Sequence, residues 1–234
     1  MSLSPVEVGR LVALGAPVLC VDTCTILDVI RDVTRETVNL VDVQAGLSLL
    51  HAAETQTKLV ILMAEQVSAE LSDNLSDVEQ EAERKLGKFV AQSQRIHEIV
   101  TAFGATGVLN TTHFNGHVGR AKVVLNRWKN IALTAQSDKD VAGRAFARVM
   151  APRTPARKGK ESMKDCVVIE TYLEAARQLR AAGLSSPIVF ASSNTKEYHA
   201  PNTSYLQPDI AADFGVVVMD FSPNFGAAKY SLGL

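Results

Sequence analysis

Four short apolar runs constrain the fold of this 234-residue chain more than any other feature. They lie at Val18–Val21, 59–63, Ile188–Ala191 and 216–219, and are rich in Val, Ile and Leu. Uninterrupted runs of this length are the pattern of strands covered on both faces, as in a parallel sheet. Helical patterns separate them. The expected class is therefore α/β: an open, mainly parallel sheet with βαβ connections, flanked by helices.

The helical patterns are explicit. Residues 162–182 place Val168, Tyr172, Ala175 and Leu179 on one stripe, and Gly183 follows as a stop. Residues 78–103 repeat apolar positions at Val78, Ala82, Leu86, Phe89, Ile96 and Val100, with Gly104 and Gly107 as breakers. Two shorter patterns run through Val118, Val124, Leu125 and Trp128, and through Val141, Ala145 and Val149. The strands cluster at the two ends of the sequence, and residues 72–160 supply helices with no clear strand. The chain reads as one domain over residues 1–234, with a helical insertion at about 72–160.

Composition excludes several classes. Three scattered cysteines, Cys20, Cys24 and Cys166, make neither a disulfide framework nor a zinc motif and point to a reducing compartment. The first residues, MSLSPVEVGR, lack the blocks of a signal peptide, and no apolar run reaches membrane-spanning length. The expected location is cytoplasmic, with no membrane partner. Net charge is −1, yet residues 120–164 hold 12 of the 24 Lys and Arg residues. That asymmetry points weakly to a polyanionic partner, and solvated helix faces explain it equally well.

The informative residues are carboxylates at strand ends. Asp22 directly follows the run Val18–Val21, where ligands bind in open α/β sheets. It is also well placed as an N-cap. Glu70 lies in a helix after the second run, beside the inward-facing Val67 and Leu71. Asp165 ends the stretch Ser162-Met-Lys-Asp165, which has the spacing of a capping box. Asn194 and Glu197 follow the run Ile188–Ala191. Each has an ordinary structural reading. In combination they gather acidic and amide oxygens at one sheet edge, a donor set suited to Mg²⁺ or Mn²⁺ and not to zinc. Ions held in this way serve phosphodiester hydrolysis.

The order VLCVDTCTILD, EQVSAEL, KGKESMKDCVVIETYLEAA, IVFASSNTKEY resembles PIN-like domains, small α/β nucleases that act mostly on RNA. The last two phrases look most like a larger PIN-like branch, and the resemblance covers residues 16–71 and 158–221. It implies a metal-dependent ribonuclease with Asp22, Glu70 and Asp165 as catalytic residues. Those three, with Asn194 and Glu197, would be the ligands of Mg²⁺ or Mn²⁺. It also implies single-stranded RNA as partner. The course of the basic loop toward Asp165 makes Arg153, Arg157, Lys158 and Lys160 the expected contacts to its backbone. An antitoxin-like protein and a second copy of the chain are further partners that the family suggests. Asn194 stands where many members have aspartate, as does Glu197. These departures keep open an alternative, a non-catalytic RNA- or protein-binding module with a degenerate acidic site.

Other motifs lead nowhere stronger. Asp22-Thr-Cys-Thr lacks the second aspartate of an aspartate-nucleophile phosphatase. Cys24 as a nucleophile would need a partner base, and no nearby histidine is evident. His113 and His117 have i, i+4 spacing but no flanking glutamate, and read as surface residues. Seven basic residues, Arg144, Arg148, Arg153, Arg157, Lys158, Lys160 and Lys164, lead toward Asp165 and are expected to bring positive charge to its rim.

Overall fold

The computed structural model describes residues 1–55, 58–157, 159 and 162–234. Helix α1 (Pro5–Leu14) precedes β1 (Val18–Val21), α2 (Thr23–Leu27), α3 (Leu40–Glu54) and β2 (Val60–Ala64). The long α4 (Glu65–Ala102), α5 (His117–Ile131), β3 (Leu133–Ala135) and α6 (Lys139–Met150) follow. The chain closes with α7 (Met163–Ala181), β4 (Ile188–Ala191), α8 (Thr195–Tyr198), α9 (Pro208–Val217), β5 (Met219–Ser222) and α10 (Phe225–Ser231).

The sheet has the order β3-β2-β1-β4-β5, and every pairing is parallel. Val18 lies opposite both Val60 and Ile188, so β1 is the central strand. All residues of β1, β2 and β4 are buried, which explains why these runs carry no polar alternation. One group of packed helices comprises α1, α6, α7 and α9, and another comprises α3, α5 and α10. The strand order reverses between β1 and β4, and the carboxyl ends of strands at such a switch point are where open α/β sheets form their ligand crevice. Tyr172 of α7 pins this edge. Its fully buried hydroxyl donates to the Val21 carbonyl and accepts the Ala64 N–H at 2.9 Å.

Local signals set the element boundaries. Ser4 and Glu7 form a reciprocal capping box at the start of α1, and Pro5 occupies the first turn. Gly183, with φ +97°, takes the left-handed conformation just past α7 that a side chain would resist. The 78–103 pattern and the segment carrying Glu70 prove to be one 38-residue helix, α4. Val67, Leu71 and Ala82 anchor its first half, whereas Phe103 at its end is 89% exposed.

Two expectations need correction. The middle of the chain does contain a strand, because β3 pairs with β2 through Leu62↔Leu133 and forms a sheet edge. With three residues, of which only Ala135 is buried, it leaves no apolar run to read. The run 216–219 is mostly not a strand either. Val216 and Val217 end α9, Val218 adopts φ +50°, and β5 begins at Met219. Four apolar residues do not by themselves separate a helix end from a strand.

Candidate metal centre

The crevice is built around Asp22. Its backbone N–H donates to the Ala191 carbonyl at 3.0 Å, which holds the residue against the end of β4. Its side chain both caps α2 and faces the crevice. Oδ1 accepts the Thr23 N–H at 2.8 Å. Oδ2 accepts the Ser192 hydroxyl at 2.6 Å and the Cys24 thiol at 3.1 Å. Burial pushes the Asp22 pKa up, the three donors partly offset this, and the charge of Glu70 raises it further. Burial, followed by the negative charge of Asp22, pushes the Cys24 thiol up to about 11. The thiol therefore stays protonated at neutral pH and serves as a donor, not as a nucleophile.

Glu70 reaches the same place from the second turn of α4. Its Oε2 accepts the Thr23 hydroxyl at 2.7 Å and its Oε1 accepts Gln66 Nε2 at 3.1 Å. Thr23 thus ties both carboxylates, one through its amide and one through its hydroxyl. Val67 and Leu71 are fully buried beside Glu70 and fix the helix face that presents it.

Asp165 lies in the first turn of α7 and is half-buried. The capping box its spacing suggests does not form, because Ser162 makes no side-chain cap hydrogen bond. Its charge acts on the phenol of Tyr198. That pKa is raised first by burial, then by Asp22 and Asp165, so both carboxylates lie within electrostatic reach of one buried ring. Asn194 is the N-cap residue of α8, and its backbone N–H donates to Ser192 Oγ at 3.3 Å. Its side-chain amide has no hydrogen-bond partner among the described residues. Glu197, on α8, is 6% exposed. The structure therefore ties Asp22 directly to Glu70 through Thr23, and to the Asn194 backbone through Ser192. Asp165, on α7, acts on the same Tyr198 ring as Asp22, and Glu197 is buried on α8 next to that tyrosine in sequence. Among the described residues, no three His, Cys, Asp or Glu side chains form a ready metal cage.

The basic residues divide. Arg157 is exposed and donates to the Lys196 carbonyl, next to Glu197. Arg153 is 48% exposed at its side chain and pairs with Asp213 at 2.7 Å. Lys158 and Lys160 lie outside the described residues. Arg144 and Arg148 do not bring charge to the rim, which corrects the expectation for them. Their i, i+4 spacing puts both on the face of α6 that packs against α7. There Arg144 pairs with Glu170 and Glu174, and Arg148, only 4% exposed, with Glu170 and Asp213.

Reading the sequence alone missed Thr23, Ser192 and Gln66. The adjacent hydroxyl residues at both strand ends, Thr23 and Thr25 after β1 and Ser192 and Ser193 after β4, were the available signal.

The fit of a divalent ion can be judged from the donors. Asp22 is an enclosed carboxylate with a raised pKa. Neither Asp22 nor Glu70 makes an ion pair among the described residues. Mg²⁺ is commonly held by one or two carboxylates, with waters and substrate phosphates completing its shell. The pair suits that mode of binding. The fold and crevice thus define an all-parallel α/β protein with an acidic cleft at its topological switch point. A PIN-domain family model matches residues 19–198, so the chain belongs to the PIN-domain family, which has a nuclease-type fold. No curated protein and no solved structure matches the chain. No helix among the described residues is long and apolar enough to cross a membrane.

Proposed function

We propose that this protein is a Mg²⁺- or Mn²⁺-dependent endoribonuclease that hydrolyses single-stranded RNA at the crevice between β1 and β4. The observation that carries the reading is the Asp22–Thr23–Glu70 unit, two carboxylates tied by hydrogen bonds with no described cation to balance them. Asp22 and Glu70 would hold the ion, Asp165 and Glu197 would complete the acidic wall, and Asn194 would offer a neutral amide oxygen. Such an ion supplies charge stabilisation and water activation for phosphodiester hydrolysis.

The chain's own residues do the rest. Ser192 and Cys24 donate to Asp22 Oδ2 and fix its carboxylate plane, so the group is oriented before any ligand arrives. Thr23 does the same for Glu70. Arg157, with Lys158 and Lys160, would contact the phosphate backbone, and Arg153 would join them by exchanging its Asp213 partner for phosphate. An acidic crevice repels RNA unless cations at its rim offset the charge. Contacts of this kind position the strand without reading its sequence.

The decisive test is cleavage of total RNA with and without Mn²⁺, beside Asp22→Asn to exclude a contaminating nuclease. Metal-dependent cleavage that disappears in the variant supports the reading, and equal cleavage by both proteins overturns it. A second experiment addresses the rim. Replacing Arg153, Arg157, Lys158 and Lys160 with Ala should weaken RNA binding and flatten its salt dependence, because fewer phosphate contacts release fewer counterions. Unchanged affinity and slope in fluorescence anisotropy would assign the strand another path.

A second reading has one observation in its favour, the departures from aspartate at Asn194 and Glu197. On that reading the chain is a non-catalytic RNA- or protein-binding module. Calorimetric titration with Mn²⁺ separates the two, because the module should show no binding that depends on Asp22.

A further inference from the structure

A cavity of about 600 Å³ opens beside the acidic crevice and shares a wall with it. Ser192 faces Asp22, while the next residue, Ser193, lines the cavity. Thr25, one turn beyond Asp22 on α2, lines it too and accepts the Ser193 N–H at 2.8 Å. The volume falls within the range of roughly 300–1,000 Å³ typical of small-molecule sites.

Its lining is mixed in a particular way. Leu47 and Val124 supply apolar surface, and Trp128 and Phe225 add rings stacked at 5.1 Å and 23°. The Trp128 ring is fully buried, and its Nε1 has no acceptor among the described residues. Three arginines line the cavity as well, with the carboxylates of Asp28 and Asp42. Arg31 and Arg35 share Asp28 only loosely, at 3.3 and 3.4 Å, and both are about one-third exposed. Arg120 is exposed and engages the backbone carbonyls of His113 and Asn115 at 3.0 and 2.7 Å. Both partners are neutral, so its charge is not cancelled by an ion pair among the described residues. The side chain of Asn39 caps α3 through its oxygen, which leaves its amide N–H groups without a described partner.

We propose that this cavity binds one nucleotide of the RNA strand next to the scissile phosphate. The base would lie on the apolar bed and the phosphate against Arg120 and Arg31. A flat, π-rich base with an anionic group is the ligand that such a lining recognises. A strand laid across Asp22 would pass the Ser192–Ser193 wall within one residue of the cavity. The inference rests on the ribonuclease reading for its location next to the cut, and it makes the protein a reader of one base as well as a cutter.

The chain has one tryptophan, and it lines this cavity. Intrinsic fluorescence therefore reports occupancy directly, with calorimetry as a second readout. Titration with each of the four 5′-nucleoside monophosphates, in EDTA so that no metal site is formed, should give a saturable change. One base should bind at least several-fold more tightly than the others. Arg120→Ala should weaken binding about tenfold, and Val124→Phe, which fills the cavity, should abolish it while circular dichroism stays unchanged. Inorganic phosphate binding as tightly as the best nucleotide would overturn the proposal, because the cavity would then recognise only an anion. The proposal also fails if no monophosphate saturates, or if both variants bind like wild type. The outcome separates from that of the cleavage assay. Metal-dependent cleavage without nucleotide binding refutes the cavity and leaves the nuclease. Nucleotide binding without cleavage refutes the nuclease and leaves a nucleotide-reading module.

Discussion

Two acidic regions of this molecule, both touched by α7, use the same residue types to opposite ends. On the side facing α6 and α9, Glu170, Glu174 and Asp213 meet Arg144, Arg148, Arg153 and Arg177, three carboxylates against four guanidiniums. Arg148 also donates to the Thr154 carbonyl at 2.6 Å. On the side facing the β1–β4 crevice, Asp22 and Glu70 have hydroxyl, thiol and amide donors and no described cation. In the first region every carboxylate has a cation, and the pairs hold helices together. The second keeps net negative charge in a crevice where it works against folding. The two regions differ in the partners of their carboxylates and not in residue type, and the proposed metal site belongs to the second.

The largest effects should separate the two regions cleanly. Asp22→Asn should lower metal-dependent RNA cleavage by about a thousandfold or more, roughly 4 kcal/mol of transition-state stabilisation. Its circular dichroism should match wild type, because the substitution removes charge and little volume. Retained cleavage would remove Asp22 from the ligand set. Arg148→Ala should do the reverse. It removes the buried guanidinium that Glu170 and Asp213 share, leaving them only the more exposed Arg144 and Arg153, and losing one partner of a buried pair costs about 3–5 kcal/mol of stability. Urea unfolding should show that loss. A shift of under about 1 kcal/mol would mean that water replaces the guanidinium and that the cluster is no structural element.

What was legible in the sequence follows the same division. Asp22 was readable because an apolar run ends just before it, and strand ends define the crevice. The β1 and β4 runs were readable because burial on both faces leaves nothing polar in them. Thr23 and Ser192 were not readable as site residues. Ser192 matters only once β1 and β4 pair across 170 positions, Thr23 only once α4 brings Glu70 beside it, and small hydroxyl residues are common in loops. β3 is too short to leave a pattern. The fate of Arg144 and Arg148 was hidden for a related reason. A count of charges along the chain does not say which helix face they share, and only the matching i, i+4 pair Glu170 and Glu174 on α7 turns them inward. The cavity draws its lining from separate segments between Thr25 and Phe225, so no local motif announces it.

A smaller effect sharpens the contrast in stability. In the metal-free protein, Asp22→Asn should raise the melting temperature. The Asp22 carboxylate is desolvated and repelled by Glu70, so its ionised form disfavours the folded state. A gain of about 1 kcal/mol would shift the midpoint by roughly 2–4 °C for a chain of this size. Excess Mn²⁺ should reverse the order, because an ion bound to the wild-type folded state stabilises it by mass action. Thermal melts of both proteins, with EDTA and with Mn²⁺, read both parts. A variant less stable than wild type in EDTA would show that the Ser192 and Cys24 hydrogen bonds outweigh the cost of the charge.

The smallest effect tests a carboxylate that belongs with the ion-paired region. Asp209 sits in the first turn of α9 and holds the loop that leads into α7. Its Oδ2 accepts the Thr154 N–H at 2.6 Å and its Oδ1 the Thr154 hydroxyl at 2.8 Å. Burial works to raise its pKa, but the two Thr154 hydrogen bonds, the Ile210 N–H and the charge of Arg153 together lower it. A carboxylate whose pKa is depressed in the folded state adds stability above its unfolded value, near 3.9, and loses it as pH falls through the folded value. Asp209→Asn should therefore cost about 1 kcal/mol at neutral pH, a modest figure because the group is partly exposed. The gap between variant and wild type should narrow as pH drops below about 4. Neutralising Asp209 thus destabilises the protein where neutralising Asp22 stabilises it, although both residues are helix-terminal aspartates. Urea midpoints for Asp209→Asn and wild type across a pH series check this. A gap that stays constant down to the most acidic point would show that the Thr154 anchor depends on shape and not on charge, and Asp209 would then no longer belong on the ion-paired side of the comparison.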